Sequence, residues 1–453
     1  MDSSQELKVK IVSTEAVAAA VPIRQQRLPL SNLNQLLPPI DFWVFFCYKK
    51  PDLDRFRTFA SVTRMLKDAL ARALIDYHVL AGELVPNSTG ELELLYNNAG
   101  VDFIEAVADV TLADLNLRDP DQSAKGKLLP ERRRGVLAIQ ATELQCGGIV
   151  VGCAFSHRTA DAYSANMFLV SWAEMARSAV ATRLPTFHHP LICASHPVAR
   201  DPSIDIPFVS LSAFQQMASN INNEDACKGN MVSHIFYITA NQLNNLKRSA
   251  SSNGKTRTMF ESFSAFLWKI ISRSPNNEGK FSKMAIVVDG RTRLGTDTTA
   301  YFGNVVSMAV AVSRTSDLVE NPLSTIADEV HDFLKPTVTK EHFLGLMGWV
   351  EAQRPDSWMP RIYCKGSEDG SSFVVSSGQR FPISKVDFGW GKPAFGSYYL
   401  PWGDPTGYVM PMPSPLENGD WIVYTYLLGK DINTIEMEAS HVFKQLTREY
   451  LGL

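Results

Sequence analysis

Cysteine is scarce and scattered in this chain. The 453 residues hold six, Cys47, Cys146, Cys153, Cys193, Cys227 and Cys364, and no CxxC pair. A disulfide framework is therefore not written into the spacing, and a chain of this size does not need one. Several sit in apolar runs, where a small buried residue is the expectation rather than a reactive thiol. Long apolar runs are missing too. AVAAAVPI, residues 16–23, is too short to span a bilayer and is followed by RQQR. The opening MDSSQELKVK has no basic stretch leading into a long apolar one, so the chain is expected to be made in the cytosol and to stay there. Charge of one sign is lacking as well. The formal net charge is −3 and no Lys/Arg block stands out, which argues against a nucleic-acid surface and a polybasic membrane anchor. The nine histidines are dispersed, with no ligand pair at helix or finger spacing, so no metal site is expected. No repeat of fixed short period occurs.

What the chain does have is length. At 453 residues it exceeds one ordinary core and implies two domains of about 200 residues each. Hydrophobic residues make up 45% and charged residues 20%, as in a soluble globular protein. DFWVFFCY (41–48) reads as an early buried strand. Val62, Met65, Leu66, Ala69, Leu70, Ala73, Leu74 and Tyr77 recur at three and four and predict a helix, ending near VLAGEL, where Gly82 suits a helix-to-strand turn. ELELLY (91–96) alternates like a strand. VLAIQATEL (136–144) and GGIVVGCAF (147–155) form a strand pair around Gly147 and Gly148. Ala165, Phe168, Leu169, Trp172, Met175 and Ala176 line a further helical face. Residues 183–225, rich at first in Pro and His and without sustained periodicity, read as a crossover. It separates an N-terminal domain over 1–182 from a C-terminal domain over 226–453. The second half repeats the style of the first. Helices are expected over 259–273 and 323–335, and strands over 283–290, 305–313 and 421–428. A closing helix is expected to carry Ile435, Ala439, Val442, Phe443, Leu446 and Tyr450.

Three stretches carry chemistry. FSHRTADAYS (155–164) sets His157 four residues before Asp161, where a strand hands over to a helix. At an element end an imidazole can reach a cleft, and a carboxylate one turn on can cap the helix. A half-buried histidine closing a strand, with Asp161 only a cap, fits this stretch taken alone slightly better. VDFGWGKP (386–393) packs Asp387, Gly389, Trp390 and Gly391 together, which demands either an unusual backbone path near a large ring or an ordinary turn beside a core Trp. VVDGRTRL (287–294), followed by YFGN (301–304), places Arg291 after a strand. Its fork of donors can hold a buried carboxylate by both oxygens, though the spacing does not say which.

Joined by LIDYHVLAGEL (74–84), these phrases resemble the plant BAHD acyltransferases, which use CoA thioesters, and they do so in family order over nearly the whole chain. The resemblance implies an α/β (α+β) fold of two chloramphenicol-acetyltransferase-like domains, each a mixed sheet backed by helices, with a solvent channel between them and His157 at its middle. It implies a monomer with no permanent cofactor, taking acyl-CoA from one face and an alcohol or amine from the other. His157 would be the general base. Asp161 would turn away from substrate and pair with Arg291 as an orienter. Asp387, a second base or a structural group, would brace the fold with Gly389, Trp390 and Gly391. One departure stands out. SSGQRFP (376–382) puts Gly378 where the shikimate and quinate branch has a Trp, which argues against those acceptors and leaves Ser376 or a backbone N–H as the oxyanion donor. Lys255 and Arg257 of GKTRT (254–258) could meet CoA phosphates or form a solvated loop. LLPPIDFWVFFCYKKP (36–51), with SHRTADAYS, is similar to the branch that includes coniferyl alcohol acyltransferases, so an aromatic alcohol is the first acceptor expected. The donor could be hydroxycinnamoyl, benzoyl or acetyl. An amide-forming enzyme is the alternative. A non-catalytic BAHD-like partner is another, disfavoured because HxxxD and DFGWG are both intact, and a CoA or phenolic binding protein without turnover is a third.

Overall fold

The structure, a computed structural model, describes residues 7–51, 58–178, 180–193, 208–214, 230–252, 254–364, 366, 368–402 and 406–453. Much of the expected crossover, at 194–207 and 215–225, lies outside the described residues, as does Cys227. Thirteen strands matter here. From the first half come β1 (Val9–Val17), β2 (Asp41–Tyr48), β3 (Val101–Ala108), β4 (Leu137–Leu144) and β5 (Ile149–Ser156). From the second come β6 (Met231–Ile238), β7 (Phe281–Asp289), β8 (Val306–Arg314), β9 (Asp369–Val375), β10 (Phe395–Tyr399), β11 (Gly407–Pro413), β12 (Trp421–Leu428) and β13 (Lys444–Gln445). They form a six-stranded sheet in the order β1-β3-β4-β5-β2-β10 and a seven-stranded sheet in the order β8-β7-β9-β11-β12-β6-β13. Both are mixed: β3–β4, β7–β9 and β9–β11 are parallel among antiparallel neighbours. Helices α1 (Phe59–Asp76) and α2 (Ala162–Ser178) belong to the first sheet's core, while α3 (Met259–Ile271) and α4 (Leu323–Leu334) belong to that of the second. This is the α/β arrangement of two sheet-and-helix units that the motifs implied.

The apolar runs explain the strand positions. All eight residues of β5 are buried, and its neighbour β2 is buried along most of its length. A strand covered on both faces has no polar side to alternate with, so it reads as a continuous run. The helix α1 starts at Thr58, whose hydroxyl accepts from the Ser61 N–H, and buries Val62, Leu66, Ala69, Leu70, Ala73 and Leu74. Across from it Trp172 of α2 donates its Nε1–H to the Leu66 carbonyl at 3.0 Å. Fully burying one such aliphatic side chain is worth about 1.5–3 kcal/mol, so this stripe holds the helix pair on its sheet. Among the described residues no helix is long and apolar enough to cross a membrane.

Two local expectations need more detail than periodicity gives. Gly82 stands at the helix-to-strand turn, as expected, but is not left-handed there. Its backbone is extended, at φ −108°, after a 3₁₀ turn over His78–Ala81. Glycine is needed there because a Cβ would lie 2.5 Å from the Leu95 carbonyl oxygen. The closing helix is not one helix either. It runs from Gly429 to Glu438 and stops, Val442 and Phe443 drop into the core, and Lys444–Gln445 pair with Phe236 and Tyr237 on the sheet edge. The helical periodicity there runs through three successive elements, Ile435, Ala439, Val442 and Phe443 entering the second sheet's core and Leu446 and Tyr450 packing on the first's.

The chain does not keep its two halves apart. Phe395–Tyr399 lie antiparallel to β2, pairing Phe395 with Cys47 and Tyr399 with Trp43. Phe381, Ile383, Val386 and Phe388 enter the core of the first sheet with them. A second tie is electrostatic. Arg291, just past β7, is fully buried and reaches Asp161, just past β5, with Nη1 at 2.8 Å from Oδ2 and Nη2 at 3.1 Å from Oδ1. The guanidinium also donates to the carbonyls of Tyr301 and Gly303 and to the Ser164 hydroxyl. Asp161 in turn accepts from the Ser164 N–H, capping α2, and from the Val305 N–H. Burial alone would push the Asp161 carboxyl up, but the guanidinium and these N–H donors outweigh it and hold it below the usual carboxylate range. Removing one partner strands the other charge out of water, which typically costs about 3–5 kcal/mol. Asp161→Ala and Arg291→Met are each expected to lower the unfolding midpoint by that order, and the double variant to lose clearly less than their sum. An Asp161→Ala protein melting with the wild type would contradict the assignment.

Candidate active site

A cavity of about 420 Å³ is lined by residues of both sheets, and His157 is in its wall. The first-sheet side supplies Leu37, Pro38 and Ile40 ahead of β2, and Ala162 and Asn166 from α2. The opposite side supplies Ser376–Arg380 and Tyr408, while Phe260 and Leu334 come from α3 and α4. His157 is the residue after β5. Its N–H donates to the Ile40 carbonyl at 2.9 Å, so the sheet ladder fixes its backbone. Thr159 closes the turn by donating both N–H and hydroxyl to the Ser156 carbonyl. Phe42 sets its ring edge-on to the imidazole at 5.1 Å.

The two imidazole nitrogens stand in different surroundings. Nδ1 is buried without a well-formed hydrogen bond, while the residue as a whole keeps part of its surface exposed. The Asn304 side chain, wholly buried, lies against the ring. It donates Nδ2 to the His157 carbonyl at 2.8 Å and to Asn34 Oδ1 at 3.0 Å, while its own N–H donates to the same Asn34 oxygen. Burial pushes the His157 pKa below its ordinary value. The histidine's own backbone, Asp161 and Asn304 push the other way without overcoming it. The ring is thus neutral at neutral pH. Asn304 stood in the YFGN phrase, but sequence reading gave it no role. A polar residue just ahead of the apolar strand β8 should have prompted a search for partners.

The remaining expected residues divide. Ser376 lines the cavity, as does Tyr408. Gly378 lines it too, and a Cβ there would sit 2.6 Å from Met412 Cγ and 2.7 Å from the Pro411 carbonyl oxygen, so no larger side chain fits while β11 keeps its course. Arg380 is engaged by Asp289 at 3.0 Å, and stacks over the Tyr163 ring, which also carries Arg291 at 4.4 Å. Asp387 is not in the cavity wall. Its Oδ1 accepts from the N–H groups of Gly389 and Gly391, at 2.7 and 3.0 Å. Both glycines have positive φ, +102° and +116°, which a side chain would strain. The loop they form packs Phe388 on Trp172 at 4.7 Å and Trp390 on Tyr48 at 5.6 Å. The geometry therefore gives Asp387 a structural place and no access to a substrate in this cavity. Lys255 and Arg257 are likewise outside the wall. Both stand just before α3 and are ion-paired with Asp328 of α4. Among the described residues, no three His, Cys, Asp or Glu side chains gather as metal ligands would.

Comparison with known proteins bears on this arrangement. A model of the Transferase family matches residues 7–442. The chain is 26% identical over 451 residues to a shikimate O-hydroxycinnamoyltransferase of Nicotiana tabacum, covering 95% of this chain and 99% of that protein. It is 26% identical over 438 residues to putrescine hydroxycinnamoyltransferase 3 of Oryza sativa subsp. japonica, covering 91% and 94%. The crystal structure of F. sporotrichioides TRI101 complexed with coenzyme A and T-2 shares the fold, with a TM-score of 0.72 at 16% identity over 92% of this chain and 99% of that one. With the family match running almost end to end, the chain belongs to the Transferase family as a plant BAHD protein, a CoA-dependent acyltransferase.

Proposed function

We propose that this enzyme moves an acyl group directly from a CoA thioester to the hydroxyl of an aromatic alcohol, with His157 as general base. The observation that carries the reading is the imidazole itself: neutral, partly exposed to the cavity, and with Nδ1 sealed so that Nε2 does the work. Nε2 takes the acceptor's proton as its oxygen attacks the thioester carbonyl carbon. The carbonyl π electrons move onto oxygen, and the Ser376 hydroxyl is the side-chain donor placed to receive that charge. Collapse re-forms the carbonyl and breaks the C–S bond, and the imidazolium protonates the leaving thiolate. No cysteine lines the cavity among the described residues, which favours direct transfer over a covalent acyl-enzyme. Asp161 takes no proton, because its carboxylate is committed to Arg291.

The acceptor follows from the walls. Tyr363 and Trp402 meet edge to face at 4.3 Å, with Tyr398, Leu400 and Tyr408 also in the wall. These are surfaces for a planar, uncharged ring. The Asp289 carboxylate already serves Arg380 and Arg291, which weighs against a diamine. Gly378 supports an acceptor other than shikimate. Lys255, the more exposed of the two cations on Asp328, is our candidate for CoA phosphates. The acyl group is hydroxycinnamoyl, benzoyl or acetyl. Amide formation is the second reading, since one base serves both nucleophiles and a putrescine transferase is among the relatives.

Incubating several acyl-CoAs with panels of alcohols and amines, and reading thiol release and product mass, tests the reading. Turnover with aromatic alcohols is expected, and turnover confined to amines would replace it with the second. His157→Ala should reduce kcat by about 10²–10⁴, whereas unimpaired turnover would remove the histidine from the mechanism. The pH profile has a definite sign. The active form is the neutral ring, and burial lowers its pKa from 6.5. Activity should therefore fall only as the pH drops through a value below 6.5, and should be level above it. A limb above pH 7 on that side would contradict the geometry.

A further inference from the structure

Tyr398 brings a fixed polar group into a cavity wall that is largely aromatic and aliphatic. It is 3% exposed and is held on β10 opposite Val44 of β2. Its ring meets Phe42 at 6.0 Å, and Phe42 meets His157 at 5.1 Å. Its hydroxyl donates to Asn166 Oδ1 at 2.8 Å and lies 3.1 Å from the Ala162 carbonyl, both on α2. Asn166 Nδ2 donates to the Arg380 carbonyl at 3.3 Å. The two bonds agree on how the amide is turned, since a phenol proton needs its oxygen and a carbonyl needs its nitrogen. Tyr398, Asn166, Ala162 and Arg380 all line the cavity that holds His157.

A ligand meets the bonding capacity that these contacts leave over. Tyr398 has one proton, and α2 takes it. Burial raises the phenol's pKa well above its ordinary value, so that proton stays in place. Among the described residues no group donates to the phenol oxygen, and Asn166 Nδ2 gives only to the Arg380 carbonyl, which leaves its second N–H. One acceptor and one donor thus remain, on two side chains already bonded to each other and carried by a strand and a helix. A hydroxyl is the group that uses both, giving its proton to the phenol oxygen and taking the amide N–H on its own oxygen. We infer that Tyr398 and Asn166 read a hydroxyl on the ring of the acceptor, separate from the hydroxyl that is acylated, so that the substrate class is a ring-hydroxylated aromatic alcohol. This rests on the acyl-transfer reading above. A bare ring set against the pair would take both groups out of water with nothing to bond, which is how a site built for a hydroxyl rejects the analogue lacking it. A phenol and an amide that merely tied β10 to α2 would confer no such preference.

The test sets benzyl alcohol against its ring-hydroxylated forms with one acyl-CoA, in the wild type, Tyr398→Phe, Asn166→Ala and Asn166→Asp, each checked for thermal midpoint. The wild type should favour the best hydroxylated alcohol by about ten-fold or more in kcat/KM, chiefly through KM. Tyr398→Phe keeps the ring and removes the oxygen. Asn166→Asp keeps the oxygen that the phenol bonds and removes the N–H. Each of the three variants should cut the preference to within about three-fold. Equal turnover of bare and hydroxylated rings by the wild type would overturn the inference, and so would a preference that survives in the variants. The same proteins with cinnamoyl-CoA and its ring-hydroxylated form check the donor side: variants that erase a preference among the thioesters and not among the alcohols would also overturn it. If the wild type turns over both kinds of ring alike, only the role of Tyr398 and Asn166 falls; if it turns over amines and no aromatic alcohol, the reading beneath it falls too.

Discussion

A buried guanidinium is the constraint on which the rest of the site depends. Arg291 has no access to water, so every donor on it must find an acceptor, and the acceptors it finds are the ones that set the cavity. Asp161 is brought from the end of β5, and the Tyr301 and Gly303 carbonyls from the loop before β8. Asp161 then takes the Val305 N–H. Its neighbours His157 and Asn304 are thereby held side by side, although 147 residues separate them. The pair stabilises less than its Coulomb energy suggests, since both charges were taken from water. What it supplies is registration between two strand ends.

The same arrangement decides which groups in the cavity carry charge. Asp161 and Arg291 cancel, and Asp289 is shared between Arg291 and Arg380. With these charges matched inside the wall, His157 is left neutral by its burial. A base that is neutral before reaction and positive afterwards gains most where neighbouring charges are already fixed in place, because little has to reorient as it protonates. The imidazole and the structural ion pair thus divide one short motif. The carboxylate is held by Arg291 and builds the loop, and the imidazole is left to the cavity.

Much of this was legible in the sequence where a signal is local. β2 and β5 showed as unbroken apolar runs because both are central strands, and α1 showed as three-and-four spacing because one face meets a sheet. His157 and Asp161 were legible as a turn between strand and helix. What was not legible depends on distant partners. β1 exposes Ile11 and Val12 on a sheet edge and shows no clean alternation. β10 looks like any short aromatic strand, and nothing in Phe395–Tyr399 says that it pairs with Trp43–Cys47, some 350 residues earlier. Asn304 gave only a faint signal, a polar residue ahead of a strand, because its partners His157 and Asn34 are distant in the chain. The closing helix misled for the opposite reason, since apolar residues of three successive elements, facing two cores, counterfeit a single periodicity.

The course of residues 376–408 has a further consequence. This stretch leaves β9 in one sheet, crosses to lay β10 on the other, and returns as β11. On the way it lines the cavity at Ser376, Gly378, Arg380, Tyr398, Leu400 and Trp402. The histidine loop, by contrast, is pinned by Arg291, Asn304 and the β2 backbone, and has little freedom to vary without losing the fold. The crossing segment and the histidine loop are therefore physically separate parts of the cavity wall. The crossing segment can change the shape of the wall while its strand hydrogen bonds, which involve backbone alone, keep it in place. Gly378 shows the limit of that freedom: the close approach of β11 fixes its size, so a wider or narrower acceptor site must be made at neighbouring side chains instead.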